Sequence, residues 1–181
     1  MANYVFVAKS LDGFIATEDG STGWLNYPNP TKTDYGYNAF VRKIDAILMG
    51  RKSYEQILTS NKPYPYTKPI FVLSNTIKTV PINLSDNLEI VTGPITEIVK
   101  QLSDRGYKNI YIDGASTIQS FLKEDLIDEM VITTVPIVLG QGISLFGNLG
   151  TQIKFEHTKA TRHENGLITC EYQKVQSTVT A

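Results

Sequence analysis

Sulfur and imidazole are nearly missing from this chain of 181 residues, which has one cysteine and two histidines, with a single tryptophan besides. A lone Cys170 excludes an intrachain disulfide and a thiolate metal cluster. It lies in the alternating run Leu167 to Tyr172, where a small buried strand residue is expected rather than a nucleophile. His157 and His163 both fall near the C-terminus, with no carboxylate at zinc-ligand spacing, so neither a metal centre nor a catalytic triad is expected. An excess of charge is missing too: 17 basic residues stand against 18 acidic ones, net −1. That balance offers no footprint for nucleic acid and no polybasic membrane patch. No apolar run reaches the ~18 residues that a spanning helix needs. The first residues lack the basic start and apolar core of a signal peptide, and a cytoplasmic location is expected.

What the chain does have is a globular composition, 41% hydrophobic and 19% charged. Its length predicts one domain, residues 1–175, able to bury a full core, with a small polar tail at 176–181 that is expected to fray. Short β-branched and aromatic runs recur at Tyr4 to Ala8, Ala46 to Met49, Ile70 to Leu73, Leu88 to Val91, Asn109 to Ile112 and Glu129 to Val135. Near-continuous apolar strands of this length suit a sheet covered on both faces. Between them lie helical patterns: Phe40, Val41 and Ile44; Ile95, Ile98, Val99 and Leu102, with Gly106 placed to stop the helix; and Ile118, Phe121 and Leu122. Strand and helix in alternation predict βαβ units and a mainly parallel α/β sheet. From Phe155 to Lys174 two strand-like runs flank Glu164-Asn165-Gly166, which predicts an antiparallel C-terminal hairpin closed by a tight primed turn. The stretches Asn26 to Thr33 and Asn61 to Lys68 read as loops within the domain.

One junction stands out. Ile47-Leu48-Met49-Gly50-Arg51-Lys52-Ser53 runs from a buried strand through glycine into the first turn of a helix. Open backbone N–H groups, the positive end of the helix dipole and two cations meet there, which is a phosphate site in outline. The plainer alternative is a tight turn whose cations serve solubility. Ligands of parallel α/β sheets sit beyond the carboxyl ends of the strands. The residues following the other strands therefore belong with this junction: Ser10-Leu11-Asp12-Gly13-Phe14-Ile15-Ala16, Ser74-Asn75, Asp113-Gly114-Ala115-Ser116-Thr117, and Thr133 with Pro136 to Phe146.

Taken in order, these motifs resemble the dihydrofolate reductase superfamily, most closely the branch that includes the reductase domain of bacterial riboflavin biosynthesis. The resemblance spans roughly Tyr4 to Tyr172. It implies a three-layer α/β/α fold with a mainly parallel sheet, a homodimer, and an NADPH-dependent reductase of a small nitrogen heterocycle. The implied activity is most like that of 5-amino-6-(5-phosphoribosylamino)uracil reductase. Dihydrofolate reduction, or a non-catalytic nucleotide-binding role on the same fold, are the alternatives. By resemblance Gly50, Arg51, Lys52 and Ser53 hold NADPH phosphates, Leu73, Ser74 and Asn75 lie near the adenosine, and Gly114, Ala115, Ser116 and Thr117 form a second phosphate turn. The family usually has two adjacent glycines there. This chain has Gly114-Ala115, and an alanine held at positive φ would cost about 1 kcal/mol or more.

The resemblance also implies a nicotinamide pocket along Ala8, Ile15 and Ala16. Substrate contacts would come from Asp12, Trp24, Tyr37 and Thr133. Asp12 has the alternative of bracing its own turn, and Trp24 that of a partly buried core aromatic. The implied proton donor is Asp34, sixteen residues before Gly50. On a helix face shared with Tyr37 and Val41 it would be a buried carboxyl of raised pKa, whereas at the helix start it would be a cap. Three departures bear on the substrate, the first being that the Asp-Asp-Pro-containing segment riboflavin-pathway reductases carry after the Gly-Arg turn is here Glu55-Gln56-Ile57-Leu58-Thr59. Trp24 is followed by Leu25-Asn26-Tyr27-Pro28, which argues against folate. The paired-cysteine zinc signature of a fused deaminase is missing.

Overall fold

The computed structural model describes residues 1–28, 32–59, 67–77, 79–80 and 86–175. The loop expectations over 29–31 and 61–66, and the tail at 176–181, lie outside the described residues. In chain order the elements are β1 (Ala2–Lys9), β2 (Phe14–Ala16), a 3₁₀ turn (Gly23–Leu25), α1 (Tyr37–Lys43), β3 (Ala46–Gly50) and α2 (Arg51–Thr59). There follow β4 (Ile70–Leu73), β5 (Leu88–Val91), α3 (Ile95–Asp104), β6 (Asn109–Asp113) and α4 (Ala115–Lys123). Last come β7 (Glu129–Thr134), β8 (Ile143–Ser144), β9 (Phe155–Arg162) and β10 (Ile168–Lys174).

Eight strands form one sheet in the order β5-β4-β3-β6-β1-β7-β10-β9. The pairings from β5 through β7 are parallel. The pairings of β10 with β7 and with β9 are antiparallel, as the C-terminal hairpin requires. Strand alternation divides the core between two faces. On one face Val5, Leu48, Ile110, Ile112 and Ile132 meet Ile98 and Leu102 of α3 and Ile118, Phe121 and Leu122 of α4. On the other, Tyr4, Ile47, Met49, Ile70 and Tyr111 meet Phe40 of α1 and Tyr54 of α2. This is the expected three-layer α/β/α arrangement. Each fully buried aliphatic side chain contributes about 1.5–3 kcal/mol.

Local chemistry sets the element ends. Gly106 adopts φ +94°, and the Tyr107 amide donates back to Leu102 O at 3.1 Å, a left-handed stop to α3. The hairpin turn differs from expectation. Only Gly166 takes positive φ, +86°, and its amide donates to His163 O at 3.0 Å. The primed turn expected of Asn-Gly needs positive φ at both central residues, and Asn165 does not have it. The Asn165 side chain is engaged elsewhere: its Nδ2 donates to Pro28 O at 2.8 Å and to Tyr35 Oη at 2.7 Å.

Candidate active site

The carboxyl ends of β3 and β6 lie side by side, and each strand passes directly into a helix, α2 from Arg51 and α4 from Ala115. The two turns touch. A Cβ built on Gly50 would stand 2.8 Å from Thr117 Oγ1, and one built on Gly114 would overlap Ser53 Oγ. Glycine is required at both positions by close approach, and at Gly114 also by φ +88°. The doubt over Ala115 is resolved: it is the first residue of α4 and not among the residues of positive φ, so one glycine suffices for the turn. First-turn amides have no acceptor within their own helix. Two helix N-termini thus converge, with the hydroxyls of Ser53, Ser116 and Thr117 between them. Arg51 is half-exposed, and Arg51 Nη1 stands 3.7 Å from Glu55 Oε1, an exposed pair of the kind worth little, so the guanidinium can turn to an anion.

Beside these turns Ser74 closes its own loop. Its Oγ accepts from the amides of Thr76 at 3.2 Å and Ile77 at 3.1 Å, while Leu73 packs on the core and Asn75 is exposed. The loop of residues 17–21 rests on α2 through Gln56 Nε2, which donates to Gly20 O at 3.1 Å. Further along this segment Trp24 is part-buried in the 3₁₀ turn, and its indole Nε1 is buried without an acceptor among the described residues.

A second, more enclosed region lies on the α1 side of the sheet. Ala8 of β1 pairs with Thr133 of β7, and Thr133 pairs with Thr169 of β10, so these side chains share a face with Phe6. Phe6 meets the Tyr37 ring edge-on at 5.5 Å. From β6, Tyr111 Oη donates to Phe6 O at 2.9 Å and lies 3.3 Å from Asp113 Oδ1. Burial, and secondarily the Asp113 carboxylate, push the Tyr37 phenol up, so it stays a protonated donor at neutral pH. Thr133 and Thr169 are 4% and 5% exposed. Their hydroxyls are 2.8 Å apart, and Thr169 Oγ1 lies 2.7 Å from His163 Nε2. Ile15 packs instead toward the α3/α4 core, and Ala16 is buried.

Two expected site residues are corrected. Asp34 is not on the inward face of a helix: α1 begins at Tyr37, after Gly36 at φ +92°, and Asp34 is exposed. Its carboxylate accepts from the amides of Asn38 at 2.9 Å and Gly36 at 3.0 Å, and these bonds hold its pKa below the ordinary value. Asp34 thus holds a first-turn amide of α1 from two residues before the Gly36 N-cap, and is not a buried acid. Asp12 is likewise engaged by backbone, bracing its own turn to the loop at 139–140. It accepts from Ser10 Oγ at 2.6 Å, Leu139 N at 3.2 Å and Gly140 N at 2.7 Å, and the Ser10 hydroxyl foremost, then those amides, lower its pKa. The half-buried carboxyl that shares the face of Tyr37 is Asp113, at the end of β6. Among the described residues no cluster of side chains is suited to a metal ion, and no helix is long and apolar enough to cross a membrane.

The family model of the RibD C-terminal domain matches residues 4–169, and the chain belongs to that family. Bacillus subtilis (strain 168) YwjB, itself uncharacterised, is 35% identical over 153 residues, 83% of this chain and 85% of that protein. A crystal structure of a Shewanella sp. PV-4 protein, provisionally described as a riboflavin biosynthesis protein, superposes with a TM-score of 0.93. It shares 44% identity over 97% of this chain and 100% of that one. The same fold occurs at 15% identity in a Thermotoga maritima diaminohydroxyphosphoribosylaminopyrimidine deaminase/5-amino-6-(5-phosphoribosylamino)uracil reductase. The TM-score there is 0.74, over 96% of this chain and 56% of that one. Fold and family alike are thus those of the RibD C-terminal domain.

Proposed function

We propose that this protein is a cytoplasmic, NADPH-dependent reductase of a small, flat nitrogen heterocycle, of the type that reduces 5-amino-6-(5-phosphoribosylamino)uracil. The observation that carries the reading is the contact of the Gly50–Ser53 turn with the Gly114–Thr117 turn, which joins two helix N-termini into one anion cradle. The amides of those first turns, with Ser53, Ser116, Thr117 and the cations of Arg51 and Lys52, would take the cofactor phosphates. Leu73 to Asn75 would border the adenosine, and the backbone near Ala8, Ile15 and Ala16 the nicotinamide. Bound there, the nicotinamide supplies a hydride.

The face of Ala8, Tyr37, Asp113 and Thr133 suits the acceptor. Tyr37 offers a neutral phenol donor, Asp113 an acceptor and Thr133 a hydroxyl of either sense, a set complementary to a ring bearing both N–H and C=O groups. Steady-state loss of NADPH absorbance tests this. Oxidation driven by 5-amino-6-(5-phosphoribosylamino)uracil and not by dihydrofolate is expected. Tight NADPH binding with no oxidation by either would make the protein a nucleotide-binding module instead.

A further inference from the structure

His163 and Thr169 have no part in the reading above, yet with Thr133 they form a continuous hydrogen-bonded line. His163 Nε2 to Thr169 Oγ1 is 2.7 Å, and Thr169 Oγ1 to Thr133 Oγ1 is 2.8 Å. The line starts at a part-exposed imidazole on the hairpin turn and ends at a hydroxyl only 4% exposed, on the strand beside Ala8. Its outer end is held in place. The Tyr35 ring stands edge-on to the imidazole at 4.8 Å, and Asn165 Nδ2 fastens the turn to Tyr35 Oη at 2.7 Å and to Pro28 O at 2.8 Å. Paired with each other, the two hydroxyls leave one proton over: the line points outward when His163 Nε2 accepts it, and inward when that nitrogen carries a proton. The imidazole at the solvent end can carry a proton on either ring nitrogen and so can hand one inward.

We infer that His163, Thr169 and Thr133 form a proton relay toward the sheet face proposed above for the acceptor, with His163 as its solvent-side terminus. The inference rests on the reductase reading, which leaves a proton unaccounted for: reduction frees an electron pair on the acceptor's heteroatom, and that atom must be protonated. The imidazolium N–H bond breaks as an O–H bond forms on Thr169. The original Thr169 proton passes to Thr133 Oγ1, and the original Thr133 proton passes to the substrate heteroatom. His163 is left neutral and recovers its proton from water. Asp34 does not compete for this task, because its carboxylate is committed to Asn38 and Gly36. Asp113, across β1 from β7, faces the same ring in the reading above and is the competing acid from which the test separates the relay. The ionisable groups around the imidazole are the Tyr35 phenol from the facing loop, Asp34 beside it in sequence, and Arg162 and Glu164 on the turn itself.

The test uses the full chain and two readouts. Nitrogen NMR of the His163 ring, assigned against His157→Gln, follows its titration without substrate; Thr133→Val, two hydrogen bonds away, is expected to move the His163 midpoint, and an unmoved midpoint overturns the relay. Turnover of 5-amino-6-(5-phosphoribosylamino)uracil is then compared across pH 5 to 9. His163→Gln keeps a hydrogen-bonding group without a transferable imidazole proton. It is expected to lower turnover at least ~10-fold and flatten the pH profile, with NADPH affinity intact. Thr169→Val is expected to do the same and Thr169→Ser to retain the profile. Parent rate and profile in His163→Gln, or loss in Asp113→Asn with none in His163→Gln, overturns the relay. If the parent oxidises no NADPH with this compound, the substrate reading fails and the NMR result alone decides the relay.

Discussion

Gly114 faces Ser53 so closely that a single added carbon would overlap the serine hydroxyl, and this contact ties the β3–α2 turn to the β6–α4 turn. Gly114→Ala therefore meets two penalties, the overlap and a backbone at φ +88°. The backbone alone costs about 1–2 kcal/mol. The expected result is a lower unfolding midpoint together with weakened NADPH binding. Ala115→Gly, at a position of ordinary helical backbone, is expected to cost under ~1 kcal/mol and to leave NADPH affinity unchanged. Denaturant melts and an NADPH titration of both variants check the pair.

Phe121 is fully buried beneath the sheet on α4, the helix that presents this turn. Phe121→Ala is expected to destabilise the fold by about 3–5 kcal/mol through lost burial and the cavity left behind. Urea unfolding measures it, and a loss under ~1 kcal/mol would contradict the packing described.

Asp12 gives a pH prediction. Its folded pKa is depressed, so its contribution is present above the unfolded value of about 3.9 and is lost as pH falls through the lower folded value. At pH 6 to 8 the brace to Leu139 and Gly140 is complete, and it is released only as pH falls through the lowered folded value, below the ordinary carboxylate range. Asp12→Asn is expected to lower hydrogen-exchange protection at those two amides at neutral pH. Unchanged protection would remove Asp12 from this role.

The apolar segment Pro136 to Phe146 is largely spent within its own chain: Leu145 is fully buried and Phe146 packs on the core. What it leaves outside is Val138, 65% exposed, near Leu11, 56% exposed, where the Leu11 amide donates to Ile137 O at 2.8 Å. A homodimer built on this patch is proposed. Sedimentation at micromolar concentration is expected to give a particle of twice the chain's mass, reverting to one chain in Val138→Asp. A ~20 kDa particle for the parent would contradict it.

The strand-to-helix turn at Gly50 was legible because its logic is local: an apolar strand, a glycine and a cationic first turn occupy seven consecutive residues from Ile47 to Ser53. The sheet class was legible for a similar reason, since each strand and helix carries its own period. Asp34 was not, because one left-handed glycine, Gly36, moves the helix start past it and leaves it before the helix, holding a first-turn amide. Asp12 and His163 depend on partners that spacing does not reveal. Asp12 meets amides 127 and 128 residues away. Thr133 reaches His163 only through a β7–β10 register that places Thr169 between them. His163 has no carboxylate at ligand spacing in the sequence, and its partner in the fold is the Thr169 hydroxyl.

If the paired turns hold NADPH, calorimetric titration of NADPH into the parent and into Arg51→Ala will separate the two proteins. Saturable one-to-one binding is predicted for the parent. The variant should lose about 1–3 kcal/mol, roughly 5- to 150-fold in affinity, through one charge-assisted phosphate bond. Equal affinity in the two proteins, or no binding by the parent at millimolar NADPH, would contradict the account.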